Sequence, residues 1–331
     1  MPSKKGQVLD RTVAALQKKF GATSAIRLGE GRESRSTVRE VLPTGIEVVD
    51  HYALGIGGLP VGRASEVCGE PGCGKSSFGY ACAGSAQKVG AEVWFFDGEQ
   101  QFDEDRATVM GVDLNGLHVA TPENLEMGVE QTKMILELHD PKVGPLLIVW
   151  DTLASMLSKA DMGREAGERG TAEQARIMSA EMPKLHATLA LRRAHLLILN
   201  QTRSTIGVMF GPNTVTPGGN AVKFYTSWRA QFFGGKAVKD GEQHVAKVVT
   251  FLTAKTRFSP PFRKARVRLD YATGWNNEWS TLEHAKGLGH APRGAKGRKA
   301  HAAAVVKLGW TIPVIATTDA AAGAQHRDEE E

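Results

Sequence analysis

The sequence predicts an α/β protein whose largely parallel twisted sheet is built around a phosphate-binding loop, and three observations carry that reading. Between Val41 and Tyr271 short apolar runs alternate with helical stretches, the pattern of repeated βαβ units. Two of the runs, Leu146–Trp150 and Leu196–Leu199, are apolar throughout, as expected of strands covered on both faces. Gly69 to Ser76 fits G-x-x-x-x-G-K-[ST] between a candidate strand and a candidate helix. A chain of 331 residues holds one large domain of this kind and smaller additions at its ends.

Composition narrows the class. Hydrophobic residues make up 41% of the chain and charged residues 23%, ordinary values for a soluble globular protein. No apolar run approaches the length of a membrane span and no signal peptide opens the chain, so a cytoplasmic protein without a membrane partner is expected. Cys68, Cys73 and Cys82 are an odd, clustered set that suits a reducing compartment rather than a disulfide framework. The net charge of +5 is unevenly spread. From His284 to Thr318 there is no acid, while Lys286, Arg293, Lys296, Arg298, Lys299 and Lys307 are basic, and Asp328 to Glu331 follow. A basic segment before an acidic tail points to nucleic acid more than total charge does.

Taken in order, the elements begin with an N-terminal helix. Leu9, Val13, Leu16 and Phe20 fall on one face and Gly21 is a plausible C-cap. A helix this short does not stand alone, so its stripe packs on its own domain or on a neighbouring subunit. Candidate strands follow at Ser65–Cys68, Val93–Phe96, Leu146–Trp150, Leu196–Leu199, Arg229–Phe233, Val245–Leu252 and Arg266–Leu269. Two polar stretches interrupt them, Lys159–Thr171, which also reads as a plain surface loop, and the Gly/Pro/Thr/Asn-rich Ser204–Asn220, and connections of the second length are usually functional or disordered. After about Lys286 Gly, Ala, Lys and Arg dominate, as in a small C-terminal module. The expected division is residues 1–36, a core over 37–275, and 276–331.

The candidate nucleotide site is Gly69, Glu70, Pro71, Gly72, Cys73, Gly74, Lys75 and Ser76, with Ser77 behind them. Its glycines let successive backbone N–H groups turn inward around phosphate oxygens, at a helix N-terminus whose dipole favours anions. Lys75 then reaches the β- and γ-phosphates and the Ser76 hydroxyl ligates Mg²⁺. Asp151, closing the apolar strand Leu146–Trp150, is the candidate second magnesium contact, although a strand-terminal Asp can also simply cap a turn. Asp97-Gly98-Glu99 closes another strand. If that strand lies next to the P-loop strand, Glu99 comes near the γ-phosphate and can polarise water. Asn200-Gln201 offers an amide to sense the same phosphate.

These motifs, in this order and spacing, resemble the bacterial RecA recombinase family over nearly Val8 to Leu288. Matching stretches include Ala25–Glu30, Gly57–Arg63, the P-loop, Asp97–Glu99, Met110–Asp113 and Leu199–Arg203. The most specific is Ile206–Gly211 leading to Gly218–Tyr225. The resemblance implies a RecA-type P-loop NTPase core, ATP and Mg²⁺ as ligands, and an N-terminal helix and short strand around Ile26 that dock on the next protomer of a helical filament. It further implies that Glu99 activates water, that Gln201 senses the γ-phosphate, and that Asp103 contacts adenine. Lys255 and Arg257 match the family's pair of cations that reach the neighbour's ATP. The two polar stretches match DNA-binding loops, with Arg176, Arg203, Ile206, Met209, Phe210, Gly218, Gly219 and Asn220 as candidate contacts. Backbone amides and Arg176 suit phosphates, and the apolar side chains suit wedging between bases of a single strand. The implied activity is a DNA-dependent ATPase that pairs single-stranded with double-stranded DNA.

Five departures are visible, the first being that Lys159–Thr171 matches the first loop in position but poorly in detail. Arg257 replaces a usual lysine, and Arg106 a tyrosine stacked on adenine; a guanidinium serves both places. Pro183 stands where a basic residue is usual and is expected to kink or end its helix. The C-terminal part is short. Two alternatives stay open: a RecA-like paralogue that coats DNA or scaffolds repair partners without strand exchange, and a ring-forming motor of the same fold.

Overall fold

The computed structural model describes residues 4–21, 25, 38, 40–163, 171–204 and 214–310. A single helix, α1 (Lys4–Phe20), precedes a minor two-stranded ladder of β1 (Val41–Leu42) and β2 (Leu59–Pro60), which flanks a short π-helical turn at Val48–Leu54. The core then runs β3 (Ala64–Gly69), α2 (Lys75–Lys88), β4 (Glu92–Asp97), α3 (Glu104–Val109), β5 (Leu117–Ala120), α4 (Leu125–Leu138) and β6 (Leu146–Asp151). It continues with α5 (Lys159–Met162), α6 (Thr171–Leu191), β7 (Ala194–Gln201), the short β8 (Arg203–Ser204) and β9 (Thr214–Val215), and α7 (Gly219–Tyr225). Last come β10 (Thr226–Phe233), β11 (Ala237–Asp240), β12 (Gln243–Thr256), β13 (Lys264–Asp270), β14 (Gly274–Asn276), α8 (Asn277–Gly287) and α9 (Gly297–Leu308).

All seven apolar runs expected as strands lie in one ten-stranded sheet of order β14-β13-β12-β10-β3-β7-β6-β4-β5, with β11 paired to β12. From β10 to β5 every neighbour is parallel, and β11 to β14 add an antiparallel wing. The central strands alternate between two cores, as a period of two requires. Leu147, Val149, Leu197 and Leu199 pack with Phe78 of α2, Trp228 and Phe251. Leu146, Ile148, Trp150, Leu196 and Ile198 pack on the other face with Met178, Met182 and Leu185 of α6. Each such fully buried side chain contributes about 1.5–3 kcal/mol.

Pro183 lies inside α6, which runs on unbroken to Leu191. Of the two outcomes expected at Pro183, the helix end is absent, and Met178, Met182, Leu185 and Leu189 on both sides of it are buried against the sheet. Among the described residues the stripe of α1 is left largely open: Leu9, Leu16 and Phe20 are exposed, as is Val8, and Val13 is half-buried. Ile26 and the acidic residues 328–331 lie outside the described residues. At the C-terminus α8 and α9 form a small pair around Leu282, Ala285 and Ala304. Trp310 joins the pair to the core, its ring stacked 5.5 Å from His51 and 5.6 Å from His284.

Candidate nucleotide site and loop network

The P-loop follows β3 directly and its glycines are there for geometry. A Cβ at Gly69 would stand 2.6 Å from both Cys73 Sγ and Phe232 O. Gly72 and Gly74 adopt φ of 69° and 100°, where a side chain is strained. Gly74 is the N-cap of α2 without a side-chain cap bond, so the first amides of the helix are free to meet an anion. Glu70, Pro71 and Gly72 are exposed, Cys73 and Lys75 buried, and Ser76 and Ser77 half-buried. The Lys75 ammonium donates to the carbonyls of Gly69 at 3.2 Å and Glu70 at 2.9 Å. Those contacts park a buried cation at the mouth of the loop.

Asp151 ends β6 and is almost wholly buried. Burial pushes its carboxyl up to about 6, helped by Glu99 and Asp97 and opposed by a hydrogen bond from Ser76 and the charge of Lys75. Its Oδ1 is buried without a hydrogen-bond partner. An orphaned carboxylate oxygen beside a serine hydroxyl is a donor set that fits Mg²⁺, which favours hard oxygen ligands.

Glu99 and Gln201 meet. Gln201 Nε2 donates to Glu99 Oε1 at 2.8 Å, and Thr152 Oγ1 donates to the same oxygen at 3.0 Å. The route differs from the adjacency expected of the strands: β4 is separated from β3 by β7 and β6. Glu99 is brought in by the loop beyond β4, whose turn is fixed by Asp97 accepting from the N–H groups of Gln101 and Phe102 at 3.1 and 2.9 Å. Asn200, beside Gln201, ties two elements together. Its Nδ2 donates to Glu66 of β3 at 2.9 Å and to the Pro217 carbonyl at 3.0 Å, and Glu66 is paired with Arg229 of β10.

Asp103 caps α3, accepting from the Arg106 N–H at 2.8 Å, and Arg106 reaches from the helix to donate to the Tyr271 carbonyl at 2.6 Å. Lys255 lies near the end of β12 and donates to the carbonyls of Lys223 and Phe224 at 2.6 and 2.9 Å. Burial, and then Arg257 and Arg229, hold its ammonium below the usual lysine range. In register Lys255 faces Arg229, which in turn pairs with Glu66 rather than with Gly69 at the P-loop end of β3. Lys255 is thus set away from the loop of its own chain.

Of the candidate DNA contacts, Arg176 is exposed on α6 and paired with Glu173 at 2.5 Å. Gly218 and Gly219 lead into α7 at φ of 85° and 70° and press against Leu153 and Ala175, each within 2.8 Å of an added Cβ. Asn220 is exposed in the first turn of α7. The backbone of Arg203 pairs with Val215 in the β8–β9 ladder. Ile206, Met209 and Phe210 lie outside the described residues, as do residues 164–170 of the first loop. Sequence reasoning missed Thr152, Glu66, Arg229, Tyr271 and Lys247. Only Thr152, next to Asp151, had a motif neighbour to draw attention to it.

A family model of the RecA N-terminal domain matches residues 7–276. The chain is 34% identical over 287 residues to Protein RecA of Bacteroides thetaiotaomicron, covering 87% of this chain and 84% of the relative. Protein RecA of Symbiobacterium thermophilum is 35% identical over 279 residues, 84% of this chain and 78% of its own. Protein RecA of Kineococcus radiotolerans is 36% identical over 283 residues, 85% of this chain and 79% of its own.

Proposed function

The chain belongs to the RecA family, and from that premise we propose that it is an ATP-dependent DNA recombinase that forms a helical filament on single-stranded DNA and pairs it with a homologous duplex. The observation that carries the reading is the hydrogen bond between Glu99 and Gln201. It links a carboxylate able to polarise water to the strand that leads straight into the second loop, while Asn200 joins that strand to Pro217 at the loop's far end. Nucleotide state and DNA contact then share one network.

In this reading the amides of Gly69 to Ser76 and the Lys75 ammonium hold the phosphates of ATP, with Ser77 behind them and Asp103 and Arg106 toward the base. Ser76 and Asp151 would hold Mg²⁺, which supplies charge neutralisation on the phosphates. Glu99 orients water, Gln201 reports the γ-phosphate, and Lys255 and Arg257 act across the interface on a neighbour's ATP. The DNA contacts are Arg176, Arg203, Ile206, Met209, Phe210, Gly218, Gly219 and Asn220. Watson–Crick pairing reads the sequence while the protein holds the backbone.

A second copy fits the uncovered surfaces. The exposed stripe of α1 needs an apolar acceptor, and the far edge of the sheet offers one. There β5 is an edge strand with Val119 exposed, and Met134 and Leu138 are exposed on α4. Residues 1–36 would dock, 37–275 form the ATPase core, and 276–331 add a basic module for duplex DNA. The three buried free cysteines suit a reducing cytoplasm, and no helix among the described residues is long and apolar enough to cross a membrane.

The test is joint-molecule formation between a labelled single strand and homologous supercoiled duplex, with ATP and Mg²⁺. Products that require ATP and homology, and that vanish with Lys75→Ala, are expected. DNA-stimulated hydrolysis without joint molecules would instead mean a DNA-coating scaffold.

A further inference from the structure

Resting on the nucleotide reading of the P-loop, we propose that Lys247 is a positioning residue of that site, holding the Gly72 carbonyl outward so that the amides behind it face the phosphates. Lys247 belongs to β12, where it pairs with Leu269. Its ammonium donates to the Gly72 carbonyl at 2.6 Å. Its stem passes beside Gly74, where an added Cβ would stand 3.8 Å from Lys247 Cε and 3.5 Å from Leu269 Cδ2. The lysine therefore lies along the apolar floor of the loop and delivers its charge to the loop's outer rim.

The chemistry follows from the peptide plane. The carbonyl of Gly72 and the N–H of Cys73 belong to one planar trans unit and point in opposite directions. A cation bound to the carbonyl fixes that plane and strengthens the amide as a donor on its other side. Nothing lies within 4 Å of where a Gly72 Cβ would be, so packing around that position does not set the orientation. The Cys73 N–H makes only a long bond of 3.4 Å to the Glu70 carbonyl, a contact easily exchanged for a phosphate oxygen.

Charge argues the same way. Burial holds the Lys247 ammonium below the usual lysine range, and the charged residues acting on it are Arg106 and Lys75, with the Cys73 thiol and no carboxylate. Three cations gathered at one loop are relieved by a polyanion.

The experiment compares the full-length wild type, Lys247→Met and Lys247→Arg. ADP binding with Mg²⁺ is read by calorimetry, and DNA-dependent ATP hydrolysis as KM and kcat. The methionine variant is expected to weaken ADP binding and raise KM for ATP about tenfold, the scale of one lost charge-assisted hydrogen bond, with kcat within about twofold and an unchanged melting temperature. Arginine, which can also donate to the carbonyl, is expected to return KM close to the wild-type value. A methionine variant that binds ADP like the wild type overturns the proposal, as does a fall in kcat at constant KM or a failure of arginine to restore binding. If the wild type itself binds no ADP, the nucleotide reading of the loop fails first.

Discussion

Glu99 is half-buried and shares one carboxylate oxygen between Gln201 and Thr152. Glutamine at this position can keep the shape of those contacts but cannot accept a proton from water. Glu99→Gln is expected to slow single-turnover hydrolysis by about 10²–10⁴-fold, the usual weight of a general base, with ADP affinity retained. Asp50 makes a contrasting case. It is buried beside Thr44, whose N–H donates to its two oxygens at 3.0 and 3.2 Å. Burial nonetheless pushes its carboxyl up to about 8, with Glu47 adding to the shift. The unfolded value is about 4, so the folded state holds the proton more tightly. Asp50 then contributes stability that is full below about pH 4 and is lost as the pH rises to about 8. Asp50→Asn, which keeps an acceptor for Thr44, is expected to flatten the fall of melting temperature between pH 5 and 8. An unchanged slope would mean that Asp50 is ionised in the fold. Lys75, Ser76, Glu99 and Asp151 stood out in the sequence because their motifs place them at a helix start or beside strand ends. Asp50 and Lys247 did not, because burial and a cross-strand reach leave no local signature.

At the scale of elements, the apolar runs marked all seven central strands, but each strand is longer than its run. Glu92 and Thr226 begin strands of the sheet although nothing in their side chains announces it, since ladders are made by backbone groups. The antiparallel additions β11 and β14 were missed because four-residue and three-residue strands carry too little pattern. Pro183 does not end its helix, because four buried side chains of α6 carry the element across it. The N-terminal helix was legible as an amphipathic helix, and its partner was not. Because Val8, Leu9, Leu16 and Phe20 are all exposed in the single chain, removing residues 1–21 takes little from the core. That truncation is expected to keep ADP binding and a melting temperature within a few degrees of the full chain, while abolishing the fast-sedimenting species that the proposed filament would form with ATP. A truncated protein that still polymerises would move the docking surface elsewhere.

Strand order belongs to the whole molecule and explains what no motif could supply. From β4 to β3 the sheet spans three strand spacings, about 14 Å, so Glu99 could not have been placed against the P-loop by adjacency. From β4 to β7 it spans two, about 10 Å, a gap that the loop of Glu99 and the side chain of Gln201 close between them. The same topology runs β12 from Lys247, against the P-loop, to Lys255, eight positions further along and turned away from it. One strand thus carries Lys247, which holds the P-loop carbonyl, at one end and leads to the candidate contacts for a neighbour's nucleotide at the other, so that in the proposed reading a complete hydrolytic site needs two protomers. Mixing experiments distinguish this arrangement from a self-contained site. Lys75→Ala removes the contribution to a protomer's own nucleotide, and Arg257→Ala the contribution to its neighbour's, so each protein alone is expected to be inactive. In an equimolar mixture that assembles at random, about a quarter of interfaces join an intact P-loop to an intact arginine. Hydrolysis should recover to about that fraction of the wild-type rate, and recovery should disappear when both proteins also lack residues 1–21. A mixture no more active than its parts would place Arg257 on its own chain's ATP, or outside the site altogether.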